Sequence, residues 1–125
     1  MRKAHIMSTK KVESYHDLVV WQKSHELAVE LFQTKFGKKD NEQLVEKLRE
    51  TVIAIPTNIS IGFKKRNKKP KIHYYRAALT AIEELEYLIV LANDLSLFKN
   101  TDNFLAEMET TERMLKRLIR ANATQ

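Results

Sequence analysis

Apolar residues recur along this chain at the spacings of α-helices. The clearest stripe is Leu44, Leu48, Val52, Ile55, Ile59 and Phe63, at steps of four, four, three, four and four, which places six side chains on one helical face. A second stripe, Ile72, Tyr75, Leu79, Ile82, Leu85 and Ile89, predicts a helix continuing to about Leu95. Phe104, Met108, Thr111, Leu115 and Leu118 mark another. Toward the N-terminus, Leu18, Trp21, Ala28 and Phe32 line one face, and Val20, Leu27 and Leu31 its neighbour. They predict a helix from His16 or Asp17 to about Lys35, with Asp17 suited to the positive helix N-terminus.

The breaks between these stripes are short. "FGKKDNEQ" supplies Asp40 or Asn41 as a cap for helix 2, and "SLFKNTDN" separates helices 3 and 4. Asn67 is placed to cap helix 3, with Pro70 in its first turn, where a missing N–H costs nothing. Four amphipathic helices with short loops predict an all-α, up-down-up-down four-helix bundle. Residues 1–14 read as a basic N-terminal tail, 15–122 as the bundle and 123–125 as a C-terminal tail. Pro56 falls inside helix 2 and removes the N–H that would bond the Val52 carbonyl, so the sequence predicts a kink there.

Two stretches are apolar all around their helices, "LVVW" at 18–21 and "YLIVLA" at 87–92. A surface helix keeps a polar face, so this surplus predicts a second buried surface, supplied by self-association.

Composition agrees with helices: among 125 residues there are 2 glycines and 2 prolines, too few for a turn-rich sandwich or barrel. Cysteine is absent, which excludes thiol catalysis, disulfides and Cys-ligated zinc. The longest apolar run, 87–92, is far too short to cross a bilayer. The basic N-terminus has no apolar segment after it, so it is not read as a secretory signal. The expectation is a cytoplasmic protein without a membrane role.

Charge changes the picture most. The formal net charge is +6, yet residues 62–76 alone carry Lys64, Lys65, Arg66, Lys68, Lys69, Lys71 and Arg76 and no carboxylate. The remaining residues hold 15 basic and 16 acidic side chains. In an up-down bundle the turn between helices 2 and 3 lies at the same end as the start of helix 1 and the end of helix 4. Arg2, Lys3, Lys10 and Lys11 before helix 1, and Arg113, Lys116, Arg117 and Arg120 late in helix 4, then join the seven. Fifteen of the 22 basic residues gather at one pole, opposite a mixed pole with Lys38, Lys39, Asp40, Glu42, Lys99 and Asp102. A concentrated cationic surface points to a polyanion.

No constellation for catalysis matches it. Glu13-x-x-His16 is one half of a di-iron bundle motif that needs two such units and two more glutamates. Glu83, Glu84 and Glu86 have no histidine within a turn. His5, His16, His25 and His73 share no ligand spacing, and His73 reads as an auxiliary of the basic turn. Gly37 and Gly62 stand alone, so no phosphate loop is present. The chain is read as non-enzymatic, with no cofactor and no metal.

Two segments carry a family resemblance. "YHDLVVWQKSHELAVELF" (15–32) and "AIPTNISIGFKKRNKKPKIHYYRAALTAIEELE" (54–86) resemble the four-helix bundle proteins named after intervening sequences in 23S ribosomal RNA genes. Their pattern falls on Tyr15, Leu18 and Trp21, on Ile55, Pro56, Asn58, Ile59, Gly62 and Phe63, and on Ala78, Leu79, Glu84, Leu85 and Glu86. This chain departs from it at Ile61, where the family has an acid, and at Asn67, where it has serine. Losing the acid removes a neutralising charge beside Lys64 and Lys65. The resemblance implies an up-down bundle forming a homopentamer. A related branch, the accessory protein of diversity-generating retroelements, works with a reverse transcriptase and nucleic acid.

The sequence therefore predicts a basic, oligomeric bundle that binds RNA or DNA through phosphates with little sequence selectivity. The expected contacts are Lys64, Lys65, Arg66, Lys68, Lys69, Lys71, Arg76, Lys116, Arg117 and Arg120. The alternative is an adaptor ring docking an acidic protein partner such as a reverse transcriptase. Of Tyr74 and Tyr75, one is expected in the core.

Overall fold

The computed structural model describes residues 11–37 and 41–124. Four helices account for nearly all of them: α1, Val19–Gln33; α2, Glu42–Lys64; α3, Lys68–Asp94; and α4, Thr101–Ala123. No strand occurs among the described residues. Consecutive helices pack on one another, and α1 also packs on α4, which closes a four-helix bundle. Arg2, Lys3, His5, Lys10, Lys38, Lys39 and Asp40 lie outside the described residues.

The start of the bundle differs from the sequence expectation. Tyr15–Asp17 form a separate 3-10 turn, and Leu18 is extended before α1 begins at Val19. Asp17 does not lead the α-helix; its carboxylate accepts the backbone N–H groups of Glu13 and Ser14, at 3.0 and 3.1 Å. Ser14 Oγ in turn accepts the His16 N–H at 3.2 Å, so Ser14 and Asp17 cap the short turn reciprocally. At the other end α1 stops at Gln33, two residues early. The Thr34 hydroxyl donates to the Glu30 carbonyl at 2.8 Å, a local bond that competes with further helix.

The core follows the apolar stripes. Leu48, Val52, Ile55 and Ile59 of α2 and Leu85 and Ile89 of α3 are fully buried, as are Phe104 and Leu115 of α4. In α1 the second candidate face is buried throughout, with Val20, Leu27 and Leu31; of the first face Ala28 is buried, Leu18 and Trp21 are partly covered and Phe32 is exposed. Each fully buried aliphatic side chain contributes on the order of 1.5–3 kcal/mol. Core residues also come from a segment that reads as a loop. Leu97 and Phe98 are buried between α3 and α4, and Phe98 stacks edge-on against Phe104 at 5.4 Å and lies 6.0 Å from Phe36. Ser96 and Asn100, both at φ 60°, bend the backbone around this plug.

Pro56 sits inside α2, buried, and the helix runs uninterrupted through it. Asn58 Nδ2 donates to the Ala54 carbonyl at 2.8 Å beside it. Asn67 and Asn41 occupy the N-cap positions of α3 and α2, but neither side chain makes a capping hydrogen bond. For α3 the cap is backbone only, with the Lys71 N–H donating to the Asn67 carbonyl at 3.2 Å.

Where α2 meets α3, Gly62 is buried with no room for a side chain. A Cβ there would lie 2.8 Å from the Tyr75 ring and 3.1 Å from the Lys71 carbonyl. Tyr75 is the core member of the tyrosine pair, at 2% exposure. Burial pushes its hydroxyl up to about 12 from the usual 10. Between pH 10 and 12 the unfolded chain releases a proton that the folded chain keeps, so stability falls as pH rises through that window and is intact below it. The loss amounts to about 2–3 kcal/mol, at 1.36 kcal/mol per pKa unit. Denaturation of wild type and Tyr75→Phe across pH 9–12 checks this. The wild type should lose stability more steeply, and parallel curves would exclude the effect.

Candidate nucleic-acid interface

The α2–α3 turn holds the expected cations. Lys64, Lys65, Arg66, Lys68 and Lys69 are exposed, as is Arg76 two turns into α3. Between Glu50 and Glu83 the sequence has no acidic residue, and none of the seven basic side chains forms an ion pair among the described residues. A carboxylate-free stretch of this kind projects its full positive potential into solvent.

Contacts bring the other elements to the same pole. Lys68 Nζ donates to the Ala123 carbonyl at 3.3 Å, joining the turn to the end of α4. Lys64 Nζ lies 5.3 Å from the centre of the Tyr15 ring, joining it to the turn before α1. Lys65 Nζ stands 5.4 Å over Tyr74, whose ring meets His73 edge-on. These rings support the lysine stems while the ammonium groups stay at the surface, a cation–π contact worth about 0.5–1 kcal/mol at exposed sites.

α4 contributes less than its sequence count suggests. Arg117 and Arg120 are exposed and unpaired, whereas Lys116 pairs with Glu112 at 3.4 Å and Arg113 with Glu109 at 3.6 Å, one turn away on the same helix. Such exposed pairs are weak, but each carboxylate cancels part of the local field. Lys11 is exposed at the edge of the described region.

Lys71 departs from the expectation. It is half-buried, and its Nζ donates to the carbonyls of Gly62 and Phe63, both at 2.9 Å. The Phe63 and Tyr75 rings flank it at 5.5 and 5.6 Å. Burial lowers its pKa below the ordinary lysine value. This side chain caps the C-terminus of α2, where carbonyls lack helical partners, and does not serve as a mobile surface charge. Nothing in the sequence separated it from its neighbours, because the capping bond spans eight and nine residues across a turn. Lys71→Ala should cost about 1–3 kcal/mol of stability by leaving these carbonyls without their donor. It should leave the salt dependence of polyanion binding unchanged; a flattened salt slope in this variant would return Lys71 to the interface.

One feature beside the pole is absent from the sequence expectation. Trp21 stacks on His25, 5.0 Å apart and 7° from parallel, and meets Tyr15 and His16 edge-on at 5.0 and 5.1 Å. The i, i+4 spacing of Trp21 and His25 on a helix was the legible sign. Glu13 and His16 take part in the turn before α1, and no group of three or more potential metal-binding side chains occurs among the described residues. No helix among them is long and apolar enough to cross a membrane.

Comparison with curated proteins gives no match. A family profile described as 23S rRNA-intervening sequence protein matches residues 16–117, which takes in all of α1, α2 and α3 and most of α4. With that span and the four-helix bundle it forms, this chain belongs to the family of 23S rRNA-intervening sequence proteins.

Proposed function

We propose that this protein is a non-enzymatic, cytoplasmic helical bundle that self-associates and binds RNA or DNA through phosphates, with little sequence selectivity. The observation that carries this reading is the cluster of exposed, unpaired cations at one pole: Lys64, Lys65, Arg66, Lys68, Lys69 and Arg76, with Arg117 and Arg120 beside them. Four of the first six are lysines, compact charges on flexible stems that suit phosphate but read base edges poorly. Membership of a family named for RNA intervening sequences supports a nucleic-acid ligand.

Affinity for oligonucleotides of unrelated sequence, measured across a salt series, tests the reading. The expected result is similar affinity for all of them and a log–log slope of about −0.9 per phosphate neutralised on duplex DNA, or −0.7 on single strands. Strong preference for one sequence would overturn the phosphate mechanism. A flat salt dependence would favour an acidic protein partner docked on the same pole.

A further inference from the structure

Beside the basic pole, α1 and α2 leave an open groove of about 440 Å³ between them, within the size range of small-molecule sites. Its α2 wall is Ile53, Pro56, Thr57 and Ser60. These positions share one helical face, which leads to Lys64 one turn beyond Ser60. The opposite wall is aromatic. Trp21 and His25 line it as a stacked pair, 5.0 Å between centres and 7° from parallel. His25 is exposed and Trp21 half covered, so the pair is open to solvent. Tyr15 lines the groove at the end nearer the pole, with Lys64 Nζ 5.3 Å from its ring centre.

Two further observations bear on what fits there. Among the described residues no carboxylate lines the groove, so an anionic ligand meets no like charge in its walls. Polar groups in the walls are few, and Ser60 already spends its hydroxyl on the Thr57 carbonyl at 2.8 Å.

We propose that this groove takes one unpaired nucleobase of a single-stranded RNA or DNA, stacked on the Trp21–His25 pair, while the adjoining phosphates meet Lys64 and the basic turn. Proteins that hold single strands combine a cationic track for the backbone with aromatic rings on which bases stack. Here both lie side by side, joined by the Lys64–Tyr15 contact. Every base has a flat π face, so stacking in walls with few polar groups tolerates any sequence. A base in a duplex is already paired and stacked, and extruding it costs free energy. The groove therefore favours single strands over duplexes. This site rests on the nucleic-acid reading above and adds the form of nucleic acid and the place of one base.

Trp21 is the only tryptophan of the chain, so its fluorescence reports on this groove. The test titrates the full chain with three probes of equal length: a thymidine single strand, a strand of abasic sites and a duplex. Anisotropy of a dye on each probe follows binding independently. The thymidine strand should bind most tightly and quench Trp21. The abasic strand and the duplex should bind through phosphates and leave Trp21 unquenched. Trp21→Leu keeps apolar bulk but removes the stacking plane, and should weaken thymidine-strand binding about 5- to 150-fold. His25→Ala, at an exposed position that leaves helicity unchanged by circular dichroism, should weaken it about 5-fold. Neither should alter affinity for the abasic strand. Equal affinity for the thymidine and abasic strands, or thymidine binding without quenching, would overturn the base site and leave the phosphate reading standing; the groove would then be covered by something else, such as a second copy of the chain. Equal quenching by the duplex would overturn the preference for single strands. Failure of all three probes to bind would overturn the site together with the reading it rests on.

Discussion

Replacing Lys64, Lys65, Lys68 and Lys69 together by Gln should flatten the salt slope of nucleic-acid binding by about three to four units on duplex DNA. The figure is four charges at about 0.9 per phosphate contact. All four side chains are exposed, and none has an ion-pair partner among the described residues, so helicity and thermal stability should be unchanged. Their intramolecular contacts are the exposed 3.3 Å bond from Lys68 to the Ala123 carbonyl and the exposed placements of Lys64 over Tyr15 and Lys65 over Tyr74, whose loss costs little at the surface. Affinity at low salt should fall about equally for unrelated sequences, because phosphate contacts position a nucleic acid without reading it. The measurement is the slope of log affinity against log salt for wild type and variant on one oligonucleotide. Coincident slopes would reduce the cluster to a solvated turn and transfer the argument to a protein partner.

The second large effect is structural. Gly62→Ala should destabilise the bundle, although alanine is the better helix former by about 1 kcal/mol. The added methyl group would sit 2.8 Å from the Tyr75 ring, which is buried against the core, and 3.1 Å from the Lys71 backbone carbonyl. Neither is the free end of a flexible chain, so α2 and α3 must separate locally. Overpacking of this kind costs roughly 1–3 kcal/mol, leaving a net loss of up to about 2 kcal/mol. Urea denaturation reads it directly. Tyr75→Phe should not rescue the variant, since the contact is with ring carbons, whereas Tyr75→Leu in the same background should recover part of the loss. An increase in stability for Gly62→Ala would mean that the ring has room to move.

The fold was legible because periodicity is a property of the chain alone. The steps from Leu44 to Phe63 and from Ile72 to Ile89 require helices whatever surrounds them, and short breaks between four such stripes leave few ways to bury them. The basic pole was equally legible, since the turn between α2 and α3 must meet the start of α1 and the end of α4 in an up-down bundle. The bond from Lys68 to Ala123 and the Lys64–Tyr15 contact bear that placement out.

Other features depended on partners distant in sequence or on competition between local bonds. Asp17 looked like a helix-leading acid, but its carboxylate serves the backbone of Glu13 and Ser14 instead. Leu97 and Phe98 looked like loop residues, yet both are buried, with Phe98 packed against Phe36 and Phe104. Seven cations looked equivalent along the basic turn; the end of α2 withdraws Lys71 because two carbonyls lie within its reach. Four more looked equivalent on α4, yet Arg113 and Lys116 face carboxylates one helical turn away, while Arg117 and Arg120 do not. The sequence by itself determined the helices, their order and the pole where positive charge collects, because these follow from spacing and connectivity. Tertiary structure decided that Lys71 is withdrawn from the free charges and which apolar faces remain uncovered, because both depend on what each side chain finds within a few ångströms once the helices have packed.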